Sequence, residues 1–136
     1  MSFAKFAVLS TLLALAASAP NPSATYPACP VGTATSTNTL NEIVDTGSPC
    51  KNLTVIFARG TCERGNLGDD IGPSYAQYLE QRLGEDEVAI QGVNYSPTWA
   101  TAFAGGSDAG AATMASLVTE VLGKCPDTML SLGGYR

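Results

Sequence analysis

The sequence of 136 residues contains no histidine. Imidazole is the usual base that activates a serine or cysteine nucleophile, and it is a frequent metal ligand. These residues therefore contain no Ser/His or Cys/His pair and no histidine metal site, and we expect neither a metal nor a cofactor. Asp69, Asp70 and Asp108 have no histidine to orient, so we reject them as triad acids.

Basic residues and long apolar runs are also scarce. Seven Lys and Arg stand against 12 Asp and Glu, a net charge of −5, which argues against nucleic acid and anionic membranes as partners. The apolar stretch at residues 6–17 is shorter than the roughly 20 residues that span a membrane, and no later stretch approaches that length. It lies between Lys5 and an Ala17-Ser18-Ala19 cleavage pattern, which predicts a secretory signal peptide at residues 1–19.

Removal of the signal peptide would leave 117 of the 136 residues, enough for one small hydrophobic core. Because Lys5 is removed with it, the net charge becomes −6. We expect a secreted, extracellular, soluble monomer. Residues 20–49 are rich in Pro, Ser, Thr, Asn and Gly, which predicts a loosely ordered lead-in with one helical turn at residues 40–44. Regular structure is expected in residues 50–136.

Three short segments rich in apolar and β-branched residues are predicted to be strands: residues 53–58, 88–95 and 128–132. A helix is predicted in each interval between them. This alternation of strand and helix is typical of an α/β fold, in which right-handed crossovers place the strands parallel in one sheet.

Each predicted helix has a start signal, a stop signal and an apolar face. Pro73 suits the first turn of the first helix and Gly84 can end it, while Ser107 or Asp108 can cap the second and Gly123 can end it. The apolar positions that repeat every three or four residues are Tyr75, Leu79 and Leu83 in the first helix and Met114, Leu117, Val118, Val121 and Leu122 in the second.

Four cysteines in a secreted chain predict two disulfides rather than thiolate chemistry. Cys50 directly precedes the first predicted strand and Cys125 the third, so a parallel sheet places both at the same end. Neighbouring strands lie about 4.8 Å apart, within the range that a disulfide bridges. We therefore predict the pair Cys50–Cys125, and elimination leaves Cys29–Cys62.

A ligand crevice is expected beyond the carboxyl ends of the strands, where the loops that follow them meet. The third predicted strand runs into Gly133, Gly134 and Tyr135. A strand that ends in glycine and turns sharply into a helix is the setting of the nucleophile elbow of α/β-hydrolases. Arg136 then stands where the elbow would have its serine, so we expect that the chain is cut at its nucleophile.

Several stretches together resemble the cutinases, secreted fungal serine esterases of the α/β-hydrolase class. They are "IFARGTCERGNLG", "VAIQGVNY", "GGSDAGAATMASLV", "KCPDT" and the terminal "GGY". The resemblance implies the N-terminal part of a three-layer α/β-hydrolase-type sandwich with a parallel sheet. It also implies hydrolysis of carboxylic esters, either the polyester cutin or short-chain esters, and a disulfide that matches Cys50–Cys125.

The resemblance assigns a role to Thr61. In cutinases a Ser or Thr at the matching position stabilises the oxyanion through its backbone amide and its hydroxyl. The serine of Gly-Tyr-Ser-Gln-Gly and the later Asp and His of the triad have no counterpart in these residues, so the chain is expected to be inactive as it stands. Cys62 departs from the Thr that is common at its position.

Other positions have two interpretations each. Tyr95 and Trp99 either line an acyl groove beside the crevice or pack in the core under the sheet. Glu63 and Arg64 either touch a substrate or form a solvated loop pair. Asn52 and Asn94 lie in N-x-S/T sequons.

Two classes of function follow. The first is a cutinase-type esterase represented by an incomplete chain, with an acetylxylan-esterase-like enzyme of the same fold as a variant of it. The second is a non-catalytic secreted binding module. The first class is favoured by lineage, because half of a sheet would expose an apolar edge and favour aggregation.

Overall fold

The computed structural model describes residues 24–45 and 47–136. The predicted signal peptide at residues 1–19 lies outside them. Within the described residues, no helix is long and apolar enough to cross a membrane.

The described chain forms one parallel three-stranded sheet with helices. In chain order the elements are β1 (Leu53–Ala58), α1 (Ile71–Leu83), β2 (Val88–Gly92), α2 (Trp99–Phe103), α3 (Asp108–Lys124) and β3 (Met129–Gly134). The strand order is β2-β1-β3, with β1 parallel to both neighbours. The α/β class and the parallel sheet predicted from the sequence are confirmed.

Both faces of β1 are covered, because alternate residues of a strand point to opposite faces. On one face, Ile56 of β1 belongs to a buried cluster with Leu117 and Val121 of α3. On the other face, Val55 and Phe57 cluster with Ala76 of α1. The β-branched, apolar run of β1 is therefore buried from both sides, as its lack of polar alternation indicates.

Helix α1 lies close to its predicted bounds. It begins at Ile71, two residues before Pro73, and ends before Gly84, whose amide donates to the Glu80 carbonyl at 2.8 Å. Tyr75 and Leu79 pack against the core as predicted, but Leu83 is half exposed. Leu83 lies in the last turn of α1 and is not part of the buried face.

Helix α3 begins after Ser107, whose hydroxyl accepts a hydrogen bond from the Gly110 amide at 3.1 Å. It continues through Gly123 to Lys124, so Gly123 does not end it. The helix ends where the Cys125 amide donates to the Val121 carbonyl at 2.7 Å. Of the predicted apolar face, Leu122 is half exposed, while the other four members pack on the sheet: Met114, Leu117, Val118 and Val121.

The strands and one loop depart from the predicted bounds. Strand β2 ends at Gly92 instead of Tyr95, and beyond it the carbonyls of Val93 and Tyr95 accept hydrogen bonds from the Arg59 side chain. Strand β3 extends beyond Leu132 to Gly134, since both final glycines continue the pairing with β1. The predicted loop after β2 contains the short helix α2, where Thr98 and Thr101 form a reciprocal capping box.

The lead-in contains no helix or strand in its described part, yet residues 38–45 are held against the sheet. The Asn66 side chain pairs with both the amide and the carbonyl of Leu40, and Asn41 forms an antiparallel bridge with Gln91. Ile43 lies in the core with 3% of its surface exposed. A turn is present near the predicted position, with the Asp45 amide donating to the Asn41 carbonyl at 3.0 Å. This part of the lead-in is more ordered than its composition indicates.

Two disulfides join the pairs that the sequence predicts. Cys50 and Cys125 precede β1 and β3, and their Cα atoms are 5.5 Å apart. Cys29 and Cys62, with Cα atoms 5.0 Å apart, tie the lead-in to the loop after β1.

Strand β3 is an outer strand of the described sheet. Its apolar residues Met129 and Leu132 are 67% and 54% exposed. An apolar outer strand with unpaired backbone groups favours association with another strand.

We predict that non-reducing peptide mapping of the protein finds Cys50 linked to Cys125 and Cys29 linked to Cys62. The parallel sheet brings the first pair together, and the loop after β1 brings the second. A peptide that links Cys29 to Cys50 would contradict the prediction.

We predict that the double change Cys50→Ser and Cys125→Ser destabilises the protein more than Cys29→Ser and Cys62→Ser. In the chain-entropy model, removal of a disulfide lowers the free energy of unfolding by about 4.5 kcal/mol for Cys50–Cys125, with a sequence separation of 75 residues. For Cys29–Cys62, with a separation of 33 residues, the loss is about 3.7 kcal/mol. Urea unfolding followed by circular dichroism measures both free energies. The reverse order would show that the shorter bridge acts through folded-state contacts.

Candidate functional site

A cavity of about 590 Å³ lies at the carboxyl edge of the sheet. The segments after all three strands contribute to its lining, as expected for an open parallel sheet. Its lining residues are Thr61, Tyr95, Pro97, Trp99, Thr101, Ala102, Phe103, Gly105, Gly106, Ser107, Tyr135 and Arg136.

The loop after β1, residues 59–70, is hereafter the β1–α1 loop. Within it, the amides on either side of Thr61 are both engaged. The Gly60 amide donates to the Glu63 carboxylate, and the Cys62 amide donates to the Pro97 carbonyl at 2.7 Å. Among the described residues, neither the amide nor the hydroxyl of Thr61 has a hydrogen-bond partner. Thr61 therefore lines the cavity with an amide and a hydroxyl that bind no other described residue.

Arg59 connects the β1–α1 loop to the segment after β2. Its side chain, in a residue only 8% exposed, donates to the carbonyls of Glu63 at 2.8 Å, Val93 at 3.3 Å and Tyr95. Burial lowers the pKa of the Arg59 guanidinium, and neighbouring groups, Tyr95 first, oppose this effect. Three carbonyl partners compensate the loss of hydration of a buried charge.

Tyr95 lines the cavity and also packs against the core cluster that contains Leu117 and Val121 of α3. Its hydroxyl donates to the Arg59 carbonyl at 2.5 Å, and its ring lies 5.2 Å from the Arg59 guanidinium carbon. Burial raises the pKa of the Tyr95 phenol, against the opposite effect of the Arg59 charge. Gly110 permits the close contact with α3, since a Cβ there would lie 2.7 Å from the ring.

Trp99 also lines the cavity, but it lies on α2 at the protein surface, 38% exposed, and is not packed under the sheet. Phe103 lies between two other rings, with centroid distances of 6.3 Å to Trp99 and 5.3 Å to Tyr26. The lead-in therefore contributes an aromatic ring beside the cavity.

The end of β3 lies directly against the β1–α1 loop. The Tyr135 amide donates to the Ala58 carbonyl at 2.9 Å. A Cβ on Gly60 would lie 2.7 Å from the Tyr135 ring and 2.9 Å from the Arg136 carbonyl oxygen, so only glycine allows this approach. Thr61 and Arg136 line the same cavity. By resemblance, Thr61 has the position of an oxyanion-stabilising residue, and Arg136 has the position of the nucleophilic serine.

Glu63 and Arg64 do not form a pair with each other. Arg64 contacts Asp69 at 3.0 Å near the surface, and this hydrogen bond lowers the pKa of Asp69. The Glu63 carboxylate instead turns inward and accepts hydrogen bonds from three loop amides. Sequence analysis missed this role and that of Arg59. The available signal was a carboxylate within a loop containing Gly60, Gly65 and Gly68, where free amides need acceptors.

The remaining polar candidates lie outside the cavity. Asn52 and Asn94 are both exposed, and the Asn52 side chain donates to the Glu87 carboxylate. Across residues 24–45 and 47–136, no three His, Cys, Asp or Glu side chains are grouped closely enough to hold a metal ion.

Comparison with known proteins gives this site a context. The cutinase family model matches residues 49–136. A cutinase of Botryotinia fuckeliana is 45% identical over 86 residues, which are 63% of this chain and 43% of that protein. Cutinase 4 of Emericella nidulans is 44% identical over 109 residues, which are 80% of this chain and 48% of that protein.

A solved structure is similar as well. Trichoderma reesei cutinase in complex with a phosphonate inhibitor superimposes with a TM-score of 0.61 at 39% identity, covering 72% of this chain and 42% of the other. The chain thus spans less than half the length of these three relatives. Because the family model matches well over half of the chain, the chain belongs to the cutinase family.

Proposed function

We propose that these residues supply the oxyanion donors and one wall of the active site of a secreted, cutinase-type carboxylic ester hydrolase. The observation that carries the proposal is the pair of unengaged donors on Thr61, at a cavity that Arg136 also lines. Attack on an ester carbonyl places negative charge on its oxygen. A preorganised donor stabilises that charge by roughly 3 to 4 kcal/mol.

The remaining chemistry requires groups that the 136 residues do not include. Ester hydrolysis by a serine enzyme needs a nucleophile and an imidazole base, and the sequence has no histidine. Arg136 cannot be that base, because a guanidinium stays protonated at working pH. The residues that resemble a cutinase therefore account for binding and charge stabilisation, and not for proton transfer.

The walls of the cavity favour an apolar ester. Trp99, Ala102 and Phe103 of α2 line the cavity, and the hydroxyl of Thr101, which is also in the lining, donates to the Thr98 carbonyl in the cap of α2. The related proteins are named cutinases. We propose that the substrate is the polyester cutin or a short-chain ester. Deacetylation of xylan by the same fold is the alternative substrate class.

We predict that the signal-free chain of these residues does not hydrolyse p-nitrophenyl butyrate above the buffer rate. A chimera that carries Arg136→Ser followed by the C-terminal part of Trichoderma reesei cutinase, hereafter the esterase chimera, is expected to hydrolyse it with saturable kinetics. Initial rates at 405 nm measure both. Saturable turnover by the signal-free chain after repurification would contradict the mechanism, and an inactive, folded chimera would favour the non-catalytic binding module.

We predict that Thr61→Val in the esterase chimera lowers kcat by about 100-fold, since it removes one oxyanion donor and preserves the side-chain shape. KM is expected to change little, because the interaction forms in the transition state. The matched control is Thr119→Val on α3, where the lost hydroxyl bonds only to the Ala115 carbonyl. Equal kcat in both variants would exclude a catalytic hydroxyl at Thr61.

We predict that a fungal host secretes the protein with Pro20 as its first residue. The prediction is based on the Ala17-Ser18-Ala19 cleavage pattern, which follows a short apolar stretch. N-terminal sequencing of the culture medium fraction checks the cleavage point. Retention in the cells with an intact Met1 would contradict secretion.

A further inference from the structure

We propose that Glu63 is a positioning residue for this reaction: its carboxylate holds the β1–α1 loop so that the Thr61 amide faces the cavity. The inference rests on the proposed function, since it concerns how the oxyanion donor is held. Glu63 itself is not among the residues that line the 590 Å³ cavity. It acts through the backbone of the loop.

The Glu63 carboxylate binds three backbone amides with its two oxygens. Oε2 accepts from the Gly60 amide, directly before Thr61. Oε1 accepts from the amides of Asp69 and Asp70, each at 3.0 Å. One side chain thus joins the beginning of the β1–α1 loop to its end, and bonds of this kind to an ionised acceptor are stronger than neutral ones.

The position of Thr61 follows from these anchors. Its neighbour on one side is held by the Glu63 carboxylate, and Cys62 on the other side is held by the Pro97 carbonyl and by the disulfide to Cys29. The peptide plane between Gly60 and Thr61 is held as well, because its carbonyl, that of Gly60, accepts a hydrogen bond from the Glu63 amide at 3.3 Å. The Thr61 amide is the one left free at the cavity, and an oxyanion donor must be held in this way before the charge forms.

Glu63 also connects the loop to α1. Asp70 occupies the N-cap of α1, but its side chain makes no capping hydrogen bond. The Glu63 carboxylate accepts from the amides of Asp69 and Asp70 at this end, where a negative charge is favoured by the helix dipole. Since Ala76 of α1 is packed against the sheet, the loop is anchored to the core and not only to itself.

Two glycines leave the space that the inward carboxylate needs. A Cβ on Gly68 would lie 2.6 Å from Glu63 Oε2, and one on Gly60 would lie 2.8 Å from the same atom. Gly68 also has a φ of +94°, a conformation that other residues rarely adopt. Both the backbone and the free volume of the loop are consistent with an anchor at this point.

The first experiment uses the signal-free chain itself and needs no catalysis. In Glu63→Gln, one acceptor oxygen becomes an amide donor, so either Gly60 or the pair Asp69 and Asp70 loses its partner. We expect the ¹⁵N heteronuclear NOE of Thr61 to fall, and the amide signals of Gly60, Asp69 and Asp70 to shift. The matched control is Glu120→Gln on the exposed face of α3, which should change none of them. An unchanged Thr61 NOE in Glu63→Gln would overturn the inference.

The second experiment uses the esterase chimera. Glu63→Gln is expected to lower kcat per folded molecule about tenfold, and Glu63→Ala about 100-fold, because the oxyanion donor is then misplaced. KM is expected to stay within about twofold of its value in the unsubstituted chimera, because the donor acts in the transition state. The partial rescue by Gln over Ala distinguishes positioning from a purely structural role. A merely structural carboxylate would lower the melting temperature in both variants and leave kcat per folded molecule unchanged, and this result would overturn the inference.

The two experiments separate this inference from the proposed function. An inactive chimera combined with a mobile Thr61 in Glu63→Gln would reject the esterase and retain the loop anchor. An active chimera with normal kcat in Glu63→Gln would reject the anchor and retain the esterase. If Glu63→Gln does not fold, Glu63→Asp replaces it, since the shorter carboxylate keeps its charge but cannot span both ends of the loop.

Discussion

Strand β1 forms parallel ladders on both of its edges and has an apolar layer on each face. Every other element is placed relative to it. The neighbouring strands lie on its two sides, α1 and α3 cover its two faces, and the Cys50–Cys125 disulfide joins its start to the start of β3. Because the three strands run in one direction, their carboxyl ends share one edge, and the three segments that carry the candidate chemistry meet there.

The cavity at that edge depends on close contacts between segments that lie far apart in the sequence. Gly60 allows the end of β3 to contact the β1–α1 loop, and Gly110 allows α3 to pack on Tyr95. The buried Arg59 then satisfies carbonyls of two different segments with one guanidinium. A few polar side chains that bind backbone groups thus hold this edge together, in addition to the packing of Tyr95 on the core and the Cys29–Cys62 disulfide.

Prediction from the sequence succeeded where one local rule decided the outcome. The β-branched run of β1, the Ser107 cap of α3 and Gly84 after α1 each behave as their residue types indicate. It failed where a distant partner decided. Strand β2 is shorter than its apolar run, and the carbonyls of Val93 and Tyr95 beyond it bind Arg59. Part of the lead-in is bonded to the sheet, because the buried Gln91 accepts hydrogen bonds from the amides of Ile43 and Val44.

The sequence by itself determined the α/β alternation, the cysteine pairing, the resemblance to cutinases and the position of Thr61 within a recognisable motif. These properties depend on residue type and spacing along the chain. Only the tertiary structure decided that Thr61 keeps its donors free while its neighbours are engaged, that Glu63 turns inward while Arg64 stays at the surface, and that Trp99 lines the cavity from a helix. The Cys62 amide is held by a partner far along the chain, the Pro97 carbonyl. The partners of Glu63 lie within seven residues, but they meet its carboxylate only because the loop folds back on itself, and that backbone conformation is not encoded by residue types and spacing alone.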